Sequence, residues 1–139
     1  MNSILLLGVN SYLGASYLRY LQKQPDCKVV GVYRRSCRNL DPESARDAQL
    51  VKCDLFDAHL LSLIIKETEP NVIINFAAKI DIAGVPEDYN ESLATSISQA
   101  IALAGVECKI INIGSAAEYA PNSTGTFLET CESGGLSSY

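Results

Sequence analysis

Five short apolar runs alternate along this chain with stretches whose apolar residues recur every three or four positions, and that alternation restricts the fold more than any other feature. Ile4 to Leu7 is a buried-strand run closed by Gly8, and Leu13, Tyr17, Leu18 and Leu21 follow at helical spacing. Pro25-Asp26 interrupts the pattern before Val29 to Tyr33, a second strand, which gives way to a polar stretch from Arg34 to Asp47. Leu50 to Cys53 is a brief third strand, and Leu60, Leu61, Ile64 and Ile65 mark a helix face that Glu69-Pro70-Asn71 ends. Val72 to Ala78 is the strongest strand signal. Tyr89, Leu93, Ile97, Ile101 and Ala104 then predict a helix stopped by Gly105, and Lys109 to Ile113 a fifth strand.

Strands that alternate with helices join through right-handed crossovers into a parallel sheet covered on both faces, so the predicted fold is a doubly wound α/β domain. With 139 residues, 47% of them hydrophobic, the chain suffices for one such core, and residues 1–139 are read as a single domain. The Gly-, Ser- and Thr-rich stretch from Ala116 to Tyr139 reads as the start of something cut short.

A formal charge of −5 argues against a nucleic-acid binder, because affinity for phosphate backbones is built from clustered Lys and Arg; an anionic ligand must be held by local groups. The five cysteines are odd in number and form no Cys-x-x-Cys pair, which indicates neither a zinc site nor a disulfide framework and fits a reducing cytoplasm. No basic leader and no apolar run of about 20 residues suggest export or membrane insertion. His59, the one histidine, sits in the third-strand helix without an evident partner and reads as solvated.

The chemistry concentrates at strand ends. Gly8-Val9-Asn10-Ser11-Tyr12-Leu13-Gly14 places glycines where the backbone turns and where the helix must approach the strand, a turn that aims helix N-terminal amides at a pyrophosphate. An ordinary glycine-bearing turn is the competing reading. Behind the second strand, where an acid would hold a ribose 2′-hydroxyl, stands Tyr33-Arg34-Arg35; guanidinium groups suit a 2′-phosphate, which points to NADP rather than NAD, unless both arginines are simply solvated.

With these motifs the chain resembles the extended short-chain dehydrogenase/reductases, the group that includes nucleotide-sugar epimerases and dehydratases. The family turn is Gly-x-x-Gly-x-x-Gly, and Ser11 departs from it at the middle glycine. Asp54-Leu55-Phe56-Asp57 resembles the family's Asp-apolar pair beside adenine, with helix capping by either aspartate as the alternative. Asn75-Phe76-Ala77-Ala78 resembles its Asn/His-x-Ala-Ala element, where small residues let the cofactor lie against the strand end. The resemblance thus implies cofactor contacts at Gly8, Asn10, Ser11, Tyr12, Leu13, Gly14, Arg34, Arg35, Asp54, Leu55, Phe76, Ala77 and Ala78.

Three further positions match the family's catalytic set: Ser115 after the fifth strand, Asn90 fifteen residues before Gly105, and Tyr139, 24 residues after Ser115. Turn residue, helix N-cap and frayed terminus are their ordinary readings. Glu129 resembles the acidic residue of the intervening loop. The family's tyrosine acts as acid/base, its serine orients the substrate oxygen, and hydride passes to or from nicotinamide. No lysine follows Tyr139 at the next helical turn, so a fragment without turnover is expected, with a non-catalytic dinucleotide-binding or sensor domain as the alternative. Ala116-Ala117, where dehydratases carry proton-transfer groups, favours epimerisation or keto-reduction of a nucleotide-sugar. Homodimerisation through the Tyr89 to Ala104 helix is also implied.

Overall fold

The computed structural model describes residues 2–79 and 88–114; Ser115 and Tyr139, with Glu129, lie outside them. The elements run β1 (Asn2–Leu7), α1 (Tyr12–Leu21), β2 (Cys27–Tyr33), α2 (Pro42–Asp47), β3 (Gln49–Lys52), α3 (Ala58–Thr68), β4 (Val72–Asn75), α4 (Tyr89–Ala104) and β5 (Lys109–Asn112). The five strands form one parallel sheet in the order β3-β2-β1-β4-β5. Succession runs outward from β1 through β2 to β3, then crosses to the other side for β4 and β5. The reversal between β1 and β4 opens a crevice at the carboxyl ends of the strands, the place where open α/β sheets bind ligands.

The apolar run of β1 lacks alternation because both its faces are covered. Leu5 and Leu7 pack with Leu61, Ile65, Leu93, Ile97 and Ala100 of α3 and α4, whereas Leu6 packs with Ala15, Leu18 and Leu21 of α1. Leu5, Leu6 and Leu7 are fully buried, as is Ile73 beside them on β4. The register aligns Ile4 with Val29 on one side and Val72 on the other, which brings the ends of β1, β2 and β4 level.

The bounds of β1, β2, β3 and β5 lie one or two residues from those read in the sequence, and two further elements differ more. The fourth strand stops at Asn75 rather than Ala78: Phe76 makes the last ladder bond, to the Leu7 carbonyl at 3.0 Å, and the Ala77 amide turns to the Asn75 side chain at 2.9 Å. Within the polar stretch, Pro42–Asp47 forms a short helix. Its cause is local: Pro42 opens the first turn, and the Asp41 carboxylate caps it by accepting from the Ser44 amide at 2.8 Å and its hydroxyl at 2.8 Å. Those bonds, the amide's foremost, hold the Asp41 carboxyl down at about 2. The α4 helix ends as its sequence predicts, with Gly105 in the left-handed conformation. No helix of the described residues is long and apolar enough to cross a membrane.

Because Ile97 is 1% exposed between α4 and the sheet, Ile97→Ala is expected to lower the unfolding free energy by about 2–5 kcal/mol. Urea denaturation monitored by far-UV circular dichroism measures it, and a loss well under that range would show that α4 is not seated in the core as described.

Candidate functional site

The crevice is built by backbone contact. Gly8 has φ +77°, a conformation that disfavours side chains, and a Cβ on it would lie 2.8 Å from the Ala77 amide nitrogen. The amides of Gly8 and Val9 both donate to the Val32 carbonyl, at 3.0 and 3.1 Å, so the turn is stitched to β2 while it presses on the end of β4. Gly14, buried on α1, comes closer still: a Cβ there would meet the Gly8 carbonyl oxygen at 2.5 Å. These two glycines let α1 start directly over the strand end.

Ser11 is the N-cap of α1. Its backbone is extended (φ −70°, ψ 157°), so this position needs no glycine, and its hydroxyl accepts from the Gly14 amide at 3.0 Å. The departure from the family's glycine therefore leaves the turn intact. The amides of Tyr12 and Leu13, which no described residue engages, remain the free donors of the first turn. Asn10 fastens the turn to the loop after β2: its side-chain oxygen accepts from the Asn39 amide at 3.1 Å, and its carbonyl accepts from the Asn39 side chain.

Around this turn lies a cavity of about 390 Å³. Its walls come from Gly8, Asn10 and Ser11, from Tyr33, Arg34 and Arg35 after β2, from Asp54, Leu55 and Phe56 after β3, from Phe76 through Lys79 after β4, and from Tyr89 and Leu93 of α4. Thus ten residues singled out in the sequence converge: Gly8, Asn10, Ser11, Arg34, Arg35, Asp54, Leu55, Phe76, Ala77 and Ala78. Tyr12 and Leu13 stand exposed at the start of α1, and Gly14 lies beneath it; none of the three lines the cavity.

The polar residues divide between structure and surface. Asn75, 5% exposed, bonds Asn112 of β5 at 2.7 Å and turns the Ala77 amide, so it shapes the strand end. Asp57 caps α3 by accepting from Leu60 at 2.9 Å, which is the capping alternative realised, while Asp54 accepts from the Phe56 amide at 3.2 Å and reaches the cavity wall. The buried Ser96 hydroxyl of α4 donates to the Leu55 carbonyl at 2.7 Å and fixes that loop from below. Asn90 is not the N-cap of α4; Asp88 holds that position. Instead Asn90 brackets the Lys79 backbone, accepting from its amide at 2.9 Å and donating to its carbonyl at 2.8 Å.

Of the two arginines, Arg34 is half-buried and donates to the Tyr89 hydroxyl at 3.3 Å; Arg35 is exposed. A neighbouring hollow of about 410 Å³ sets both beside Lys52, so three cations gather where the chain as a whole is acidic. Cys53 in its wall is pushed up to about 11, first by burial and then by Asp57 and Asp54, which makes it a protonated thiol at neutral pH. His59 is exposed on α3, away from the cavity, and no metal-ligating cluster occurs among the described residues. Lys79 and Tyr89 are among the wall residues that sequence reasoning missed as site residues, with Val32, Tyr33, Ser36, Phe56 and Leu93. Lys79 adjoins Ala78, and Tyr89 is the first residue of the α4 helix; neither matches a motif.

The cavity suits an anion with a flat, partly apolar appendage: it holds the Arg34 and Arg35 guanidinium groups and the apolar surface of Leu55, Phe56, Ala77 and Leu93, and the free amides that open α1 follow directly on its wall residue Ser11. A family model described as the NAD dependent epimerase/dehydratase family matches residues 4–139. Among solved structures, UDP-glucose-4-epimerase from Stenotrophomonas maltophila, with bound NAD and formylated UDP-arabinopyranose, superposes with a TM-score of 0.80 at 21% identity, covering 100% of this chain and 44% of that one. dTDP-glucose 4,6-dehydratase from Bacillus anthracis in complex with NAD gives 0.78 at 21% identity, covering 99% and 45%. UDP-glucose 4-epimerase from Brucella ovis in complex with NAD gives 0.82 at 20% identity, covering 100% and 43%. The chain therefore spans less than half the length of these proteins, with which it shares the Rossmann fold. No curated protein sequence matches it.

The glycine packing yields a contrast. Gly14→Ala is expected to cost about 3 kcal/mol of stability, since its Cβ would strike backbone at 2.5 Å. Gly105→Ala should cost only about 1–2 kcal/mol from left-handed backbone strain, since nothing lies within 4 Å of its Cβ position. Parallel urea titrations compare the two; equal losses would contradict the close approach of α1 to Gly8.

Proposed function

The chain belongs to the NAD dependent epimerase/dehydratase family, and on that premise we propose that it binds NADP(H) in the crevice between β1 and β4, as part of an enzyme that epimerises or reduces a nucleotide-sugar. The observation that carries the reading is convergence: the glycine turn, the two arginines, Asp54-Leu55 and Ala77-Ala78 arrive from four strand ends at one cavity. The three structural neighbours above hold NAD, and one also a UDP-sugar, which supports a nicotinamide dinucleotide; the preference for its phosphorylated form rests on Arg34 and Arg35.

In this reading the pyrophosphate lies at the amides that open α1, where helix dipole and free donors favour negative charge. Arg34 and Arg35 take a ribose 2′-phosphate, Asp54 and Leu55 border the adenine, and Ala77 and Ala78 leave room for the dinucleotide along the end of β4. The nicotinamide would supply a hydride acceptor and donor. Ser115 orients the reacting oxygen of the sugar, and Tyr139 moves its proton. A free tyrosine titrates near ~10, so neighbouring positive charge must favour its ionised form before it can accept a proton at neutral pH. Asn90 acts indirectly, since both ends of its amide hold the Lys79 backbone and so keep the end of β4 against α4.

Epimerisation or keto-reduction is preferred to dehydration because Ala116 and Ala117 carry no proton-transfer group directly after Ser115. Association of two copies through α4 is the assembly that fits Leu103, which is 63% exposed on that helix.

Two measurements test the proposal. In fluorescence titrations the protein should bind NADPH more tightly than NADH, and Arg34→Ala with Arg35→Ala should weaken NADPH by at least about tenfold while sparing NADH, each charge-assisted contact being worth ~1.5–3 kcal/mol. Equal affinity for both cofactors in the native protein would refute the NADP preference. Second, nucleotide-sugars offered to the whole enzyme with cofactor should emerge inverted or reduced; release of a 4-keto-6-deoxy product would show dehydration instead.

A further inference from the structure

Tyr89 meets three other residues of the cavity wall. Its hydroxyl accepts from Arg34 at 3.3 Å, its ring lies 4.6 Å from the Lys79 ammonium, and Phe56 packs edge-on against that ring at 5.1 Å. These partners come from three loops. Arg34 follows β2, Phe56 follows β3 and Lys79 follows β4, while Tyr89 itself opens α4. All four residues line the same cavity.

An unrestrained arginine samples many rotamers, and an anion that recruits it must first order it, which lowers affinity. A guanidinium already held by a hydroxyl, half-buried at the cavity wall, avoids much of that loss. The phenol is suited to the task. Being neutral, it accepts one N–H without neutralising the cation, as a carboxylate would, so the remaining guanidinium donors keep their full charge for a ligand. The ring face supplies the matching attraction for Lys79, and Phe56 fixes the ring plane.

We propose that Tyr89 is a specificity-determining residue of this site: through its hydroxyl it holds Arg34 ready for the phosphate that distinguishes NADP(H) from NAD(H). The inference rests on the NADP reading given above and names the residue that makes the arginine effective. Tyr89 acts through Arg34, so it is a positioning residue for the ribose phosphate.

The test is a double-mutant cycle read by equilibrium binding of NADPH and NADH to the native protein, Tyr89→Phe, Arg34→Ala and the double variant. Tyr89→Phe keeps the ring, its contact with Phe56 and its attraction for Lys79, and thermal melts check that each variant is folded. It is expected to weaken NADPH about fivefold, the size of one hydrogen bond, and to change NADH less than twofold. In the Arg34→Ala background the same substitution should have no further effect on NADPH. Additive losses in the double variant, an equal loss for both cofactors, or an unchanged NADPH to NADH ratio in Tyr89→Phe would each overturn the inference while the native preference for NADPH stood. A native protein without that preference would overturn the NADP reading and this inference together.

Discussion

Everything at the site depends on one close approach of backbone to backbone. The Gly8 turn lies against Ala77 at the end of β4, and Gly14 brings α1 down onto the Gly8 carbonyl, in both cases with no space for a Cβ. Parallel strands of equal register bring their ends level, but only glycine lets a helix begin directly above them. From that contact follow the start of α1, the position of its free amides, and the depth of the crevice at the β1/β4 reversal. Ser11 completes the turn by capping what the glycines allow to form.

A second constraint is electrostatic. A chain of net charge −5 has no long-range attraction for an anion, so the binding of one rests on groups gathered at short range. The loop after β2 does this with Arg34 and Arg35, and the fold adds Lys52 and Lys79 from β3 and the end of β4. The polar framework beneath them is spent on geometry: Asn75 and Asn112 across two strands, Asn90 on the Lys79 backbone, Ser96 on the Leu55 carbonyl. Satisfied hydrogen bonds of this kind fix the loops and strand ends around the cavity in one arrangement.

The fold was legible because its signals are periodic. Uninterrupted apolar runs mark strands buried on two faces, and the apolar spacing from Tyr89 to Ala104 coincides with the observed ends of α4. The convergence of Gly8, Arg34, Asp54 and Ala77 was also legible, since each occupies a strand end and strand ends meet in a parallel sheet. What stayed hidden depends on side chains meeting across loops. Nothing in Asn75-Phe76-Ala77-Ala78 says that the strand stops at Asn75, because the amide that ends the ladder is captured by a side chain two residues away. Asn90, read as a possible cap, brackets a backbone eleven residues earlier, and Tyr89 reaches an arginine 55 positions away. Neither distance has a sequence period. The Pro42–Asp47 helix was signalled by Asp41-Pro42, but so short an element carries no apolar face to announce it.

The function of the crevice depends on where a dinucleotide sits. The most direct measurement is the change in backbone amide NMR shifts of the protein on addition of saturating NADPH. The expected pattern is perturbation centred on Asn10 to Leu13, Arg34 to Ser36, Asp54 to Phe56 and Ala77 to Lys79, the segments that surround the crevice or open α1. Perturbations confined to other surfaces, or no change at all at saturating cofactor, would contradict it.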